Sequence, residues 1–185
     1  MIRGMTRISP LPAAERDEEV EQLLAGTLLG RDGEALNIFQ TMARHPKLMK
    51  RWLPFGGWLL ARGVLPVRDR ELLILRTAWN CGAEYEWGHH VELAQGAGVS
   101  DDDIARVTQG PDAPGWDPFE AALLRAADEL HRDARVGDDT WSALAACYDE
   151  QALIEALMVV GQYHLVSFFL NSTGVAREAG VPGLP

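Results

Sequence analysis

Apolar residues recur along most of the chain at intervals of three and four, the spacing that lines one face of a helix. Alternating β-branched runs bounded by turn pairs are almost absent. After a proline-rich start, residues 13–29 and 33–44 read as two helices parted by Gly30 to Gly33. Pro46 suits a helical first turn, and a helix over 46–62 is expected to break at Pro54 and Gly56-Gly57, because an interior proline removes a hydrogen bond and crowds the preceding turn. Gly63 ends that segment and Leu65-Pro66 turns the chain. The stretch DRELLILRTAWN, residues 69–80, is apolar on nearly every side and predicts a buried helix. Cys81-Gly82 marks a break, and a helix over 83–97 stops at Gly98, a left-handed cap. Ser100 and Asp103 have the spacing of a capping box for a short helix ending near Gly110, and GPDAPG, 110–115, is a linker. Asp117-Pro118-Phe119-Glu120 starts a helix that runs to about 133, followed by helices over 139–148 and 150–173. The fold class is therefore all-α, with about eight helices in a single domain over 1–185 and most of the core supplied by 69–97 and 117–173. The tail AREAGVPGLP needs a docking surface to be ordered.

Composition narrows the partners. The chain has 185 residues, enough to bury a core without staples. It carries 17 Lys and Arg against 27 Asp and Glu, and a net charge of -10 argues against nucleic acid and against an anionic membrane surface. Two cysteines, Cys81 and Cys147, are too few for a disulfide framework or a cysteine-based zinc site. The start MIRGMTRISPLPAAERDEE has no apolar leader core, and no run reads as the roughly 20 apolar residues of a membrane span. A soluble, cytoplasmic protein is expected.

The densest chemistry lies in EYEWGHH, residues 84–90. Glu86 and His90 are spaced i, i+4 and project from one helix face, with His89 flanking it. Glu71 lies on the preceding helix, and a bent pair of helices brings it to His90. A carboxylate would then orient an imidazole while a second takes or gives a proton. Two plainer readings stand beside this: Glu71 as a first-turn acid behind an Asp69 cap, and Glu86–His90 as a surface pair. A metal is not expected. Glu86-x-x-His89 has the spacing of di-iron bundles, which need a second such motif; His131 follows Glu129 by two, and His164 has no acid three residues before it. His45 precedes Pro46 at a helix boundary, and HExxH is absent. No Gly-rich phosphate loop and no GxSxG elbow occur. Cys81 is a secondary candidate as a thiol nucleophile.

The segment LPVRDRELLILRTAWNCGAEYEWGHHVELAQGAGVSDDDIARV carries Arg70-Glu71, then Tyr85, Glu86, Trp87 and His90, then Ala94, with Gly98 eight residues after His90. It resembles the carboxymuconolactone decarboxylase family, whose relatives include alkylhydroperoxidase D, and the likeness extends over about 33–175. The resemblance implies that family's all-α fold and a homotrimer or homohexamer. In alkylhydroperoxidase D the corresponding helix carries Cys-x-x-Cys with a His four residues on and a Glu twelve before. Those positions here are Ala83, Glu86, His90 and Glu71, so the Glu and His match while both cysteines are missing. Disulfide exchange needs two thiols, which disfavours peroxiredoxin activity through Cys81 alone. The decarboxylase branch instead resembles the Glu86/His90 arrangement. It implies a cofactor-independent lyase or isomerase acting by acid/base chemistry on a small lactone or keto acid, with His90, Glu86 and Glu71 catalytic. Tyr85, Trp87, His89, Tyr163 and His164 are then candidates for the pocket wall, and Arg70 or Arg76 for holding a substrate carboxylate. The alternatives are a redox protein using Cys81 and a non-catalytic oligomeric ligand-binding protein of the same fold.

Overall fold

A computed structural model describes residues 5–185; the first four residues of the stretch read for a leader lie outside it. Among the described residues the architecture is all-α, with helices α1 (Glu18–Ala25), α2 (Asn37–Met42), α3 (Pro46–Ala61), α4 (Val67–Asn80), α5 (Glu84–Gly96), α6 (Asp101–Gln109), α7 (Pro118–Asp133), α8 (Asp138–Ala145) and α9 (Glu150–Thr173). A single 3-10 turn, Ala13–Glu15, precedes α1.

The caps explain most of these boundaries. Asp117 accepts the amides of Phe119 and Glu120 at the start of α7, and Ser100 and Asp103 form the reciprocal capping box of α6. Three early expectations are corrected here. The segment 13–29 is divided, because Asp17 caps α1 by accepting the Val20 amide and so begins a new helix there. The segment 33–44 is helical only over Asn37–Met42. α3 also runs unbroken through Pro54. Pro54 sits on the exposed side of the helix, where water can hydrate the carbonyl that the missing amide leaves unpaired.

The chain forms two compact units. The first combines the residues up to Arg62 with Phe169–Val181 and has its own core of Leu11, Val20, Leu24, Met42, Ala43 and Met49. The second, Gly63–Phe168 with Pro182–Pro185, carries the chemistry. In it α4 packs against α5, α6 and α7. Leu72, Leu75, Ala78, Trp87, Ala94 and Leu124 fill the space between, and Leu184 of the tail docks on them. Each fully buried leucine contributes about 1.5–3 kcal/mol by removal from water.

The entry into α4 is fixed by a buried acid. Glu155 on α9 accepts the amides of Val64 and Leu65. Gly63 stands where any Cβ would overlap that carboxylate, so only glycine permits the clamp. At its other end α4 closes on Cys81, and Gly82 takes the left-handed φ of +58 that lets the chain return as α5. By length and composition α9 could cross a bilayer, contrary to the reading that no run is long enough, but 56% of its apolar window is buried inside the protein. That is the pattern of a core helix.

Candidate functional site

Arg70 through Ala78, nine consecutive residues of α4, are buried. Glu71 is among them and is 0% exposed. A carboxylate in that position persists only with partners, since taking a bare charge out of water costs far more than a buried side chain returns. Two cations serve it. The Arg70 guanidinium donates through Nε and Nη2 to Oε1 at 3.1 and 2.9 Å. On the other side, His90 Nδ1 lies 2.7 Å from Oε2. The same imidazole presents Nε2 to Glu86 Oε1 at 3.0 Å, one helical turn earlier on α5. His90 and Glu86 are each 5% exposed, so this pair is interior and not the surface pair that spacing alone allowed. Glu71 is likewise not a first-turn acid: α4 begins at Val67, and Asp69 accepts the Tyr148 hydroxyl.

Charge balance dictates the protonation state. Arg70 and Glu71 cancel, so Glu86 is compensated only when His90 is protonated. Burial by itself would depress the His90 pKa, but the Glu71 carboxylate, with Glu86 adding to it, outweighs burial and raises it to about 9. Burial would raise Glu71, yet His90 and Arg70 hold it below the ordinary carboxylate value. The Tyr163 ring meets His90 edge-on, with centroids 4.9 Å apart. Burial, and then the two carboxylates, drive the Tyr163 phenol well above its usual pKa, so it stays an un-ionised donor. The assembly is an imidazolium held between two carboxylates, able to give up a proton and take one back.

The remaining candidates are placed elsewhere. The Tyr85 ring lies tilted against His89, with centroids 4.6 Å apart and 40° between the planes. Trp87 packs on Trp79 within the core and also borders a cleft of about 230 Å³ shared with Val91, Ile104 and Pro182. That volume is below the roughly 300–1,000 Å³ of an ordinary small-molecule pocket. Arg76 is no carboxylate holder for a substrate: its guanidinium grips Asp128 at 2.6 and 2.9 Å and the Val107 carbonyl at 2.7 Å. Arg70 is committed to Glu71.

Cys81 and His164 belong to a second cluster. The Cys81 thiol lies 3.9 Å from His131 Nδ1, and that nitrogen lies 2.9 Å from His164 Nε2. Burial pushes the thiol pKa up, against the Ser167 hydroxyl that faces it. Such a thiol is a poor thiolate nucleophile. Sequence reading set His131 and His164 aside as metal ligands because neither completes a second Glu-x-x-His motif, and kept His164 only for the pocket wall; spacing within one helix cannot register a meeting between α7 and α9.

Residues 46–129 match the family model described as the carboxymuconolactone decarboxylase family. Among solved structures, an uncharacterised peroxidase-related protein of alkylhydroperoxidase AhpD core from Ralstonia eutropha is similar with a TM-score of 0.78 at 17% identity, covering 93% of this chain and 93% of that one. The debrominase Bmp8 is similar with a TM-score of 0.77 at 18% identity, over 95% of this chain and 94% of its own. A peroxidase-related protein from Silicibacter has a TM-score of 0.72 at 12% identity, over 80% of each chain. These identities speak to the fold alone. No curated protein matches the sequence. The matched segment, residues 46–129, holds Arg70, Glu71, Glu86 and His90, and the fold is AhpD-like.

Proposed function

We propose that the protein is a cofactor-independent lyase or isomerase that moves a proton on a small lactone or keto acid, with His90 as the proton donor. The observation that carries this reading is the single imidazole bonded at 2.7 Å to Glu71 and at 3.0 Å to Glu86. Glu71, fixed by Arg70, sets the ring's orientation and keeps it charged. Glu86 lies at the other nitrogen, so a substrate reaching Nε2 takes its place there. In a decarboxylation the carbon–carboxylate bond breaks, CO2 leaves, and the electron pair passes into an enolate. Nε2–H then protonates the enolate carbon, and solvent restores the proton through Glu86. The Tyr163 phenol can donate to the developing enolate oxygen. Isomerisation uses the same groups without loss of CO2.

The thiol reading is weaker. Ala83 and Glu86 stand at the two cysteine positions of the peroxidase motif, and neither Cys81 nor Cys147 forms a disulfide. A panel of small lactone acids and 3-keto acids, assayed for CO2 release and for solvent deuterium entering carbon, tests the proposal. His90→Gln and Glu86→Gln should each cut turnover by about 10²–10⁴-fold, the usual contribution of positioned acid/base groups. Cys81→Ser should leave it unchanged. Full activity in both His90→Gln and Glu86→Gln would overturn the assignment.

A further inference from the structure

Cys81, His131 and His164 come from three separate elements: the C-terminal cap of α4, the last turn of α7 and the middle of α9. One donor atom from each, a thiol sulfur and two ring nitrogens, lies within 4.8 Å of the other two. We propose that these residues form a binding site for a divalent transition-metal ion of the zinc class, with its remaining coordination position open to solvent.

The separations support this. Tetrahedral zinc with bonds of about 2.3 Å to sulfur and about 2.0–2.1 Å to nitrogen places its ligand atoms roughly 3.3 Å (N to N) and 3.6 Å (S to N) apart. The observed values are 2.9 Å between His131 Nδ1 and His164 Nε2, and 3.9 Å between Cys81 Sγ and His131 Nδ1. Each needs an adjustment of a few tenths of an ångström, within the reach of ordinary χ rotation. The His164 tautomer is already selected. Its Nδ1–H donates to the Val160 carbonyl at 2.8 Å, which leaves the Nε2 lone pair facing the other two donors. A ligating histidine is commonly oriented in this way, by its second nitrogen on a carbonyl.

The surroundings give a matching gradient of access. Cys81 and His164 are half-buried, whereas His131 is exposed at the end of its helix. Phe168 packs edge-on against the His164 ring, with centroids 5.9 Å apart. A soft thiolate with two imidazoles selects zinc, cobalt or copper over magnesium or calcium, which prefer oxygen. The donors number three, so water or a small ligand would complete the coordination, as in open rather than structural zinc sites.

The test uses the full chain, stripped with a chelator and titrated with Zn2+ and Co2+. Equilibrium dialysis should show one equivalent of Zn2+ per chain. The Co2+ form should show tetrahedral ligand-field bands and a thiolate-to-cobalt charge-transfer band. Cys81→Ser should abolish the charge-transfer band, while Cys147→Ser retains it. His131→Ala alters an exposed residue and leaves the core intact; it should weaken Zn2+ binding by at least about 100-fold, the upper end of what losing even a supporting partner costs. Absence of stoichiometric uptake, or uptake and a charge-transfer band that survive Cys81→Ser, would overturn the proposal. Circular dichroism of each variant separates loss of ligands from loss of fold.

Discussion

The second unit holds two clusters of ionisable side chains with opposite character. The Arg70–Glu71–His90–Glu86 array is interior, its charges cancel in pairs, and both imidazole nitrogens are occupied. The Cys81–His131–His164 cluster is half-open, contains no opposite charge of its own, and brings two ring nitrogens to 2.9 Å. The first is self-sufficient electrostatically, and its groups can exchange a proton but have little spare coordination. Burial thus separates a closed, ion-paired array from a half-open cluster of metal-ligand side chains.

The largest test of that contrast is Glu71→Leu. It leaves Arg70 and a protonated His90 inside with only Glu86 opposite, and should cost about 3–5 kcal/mol in urea unfolding, the penalty for breaking a buried pair from one side. A loss below about 1 kcal/mol would mean that the array does not carry charge in the folded state.

Next in size is the pH dependence. His90 has a folded-state pKa of about 9 against an ordinary 6.5. Its contribution is therefore complete below pH 6.5 and is lost as pH rises through 9. Glu71 is held below its ordinary 4.5, so its contribution is present above that value and is lost as the medium becomes more acidic. Thermal melts should show a plateau between these limits and an alkaline decline on the order of 3 kcal/mol. His90→Gln should remove the alkaline limb; a wild-type protein equally stable at pH 6.5 and pH 9 would contradict the charge assignment.

Arg70→Met should be milder. It deletes the two charged hydrogen bonds to Oε1 but leaves His90 on Oε2, for a cost of about 1–3 kcal/mol. If the cost matched that of Glu71→Leu, Arg70 rather than His90 would be the dominant partner. The smallest effect belongs to the open cluster. Metal-free Cys81→Ser should change stability by no more than about 0.5 kcal/mol. The wild type alone should then gain about 2.7 kcal/mol at zinc concentrations 100 times its dissociation constant. Differential scanning calorimetry with and without Zn2+ measures both.

These two clusters also differ in how they could be read from the chain. Glu86 and His90 share a face because four residues make roughly one helical turn, and that relation holds wherever the helix lies. Asp117-Pro118 and the Ser100/Asp103 box fixed helix starts for the same local reason. Pro54 misled because whether a proline breaks a helix depends on which side of it faces water. Arg70 and Arg76 looked alike as neighbours on one helix. Only packing gave one to Glu71 and the other to Asp128.

The sequence by itself determined the helical class, most of the caps, the glutamate–histidine spacing on α5 and the absence of the paired cysteines. All of these depend on contacts within a few residues. The tertiary structure decided that Glu71 lies at 0% exposure beside His90, that the Glu86 pair is interior, and that Cys81 meets histidines from α7 and α9. Those relations span separations in sequence over which periodicity carries no information, and they are set by how the buried faces of α4, α5, α7 and α9 pack together.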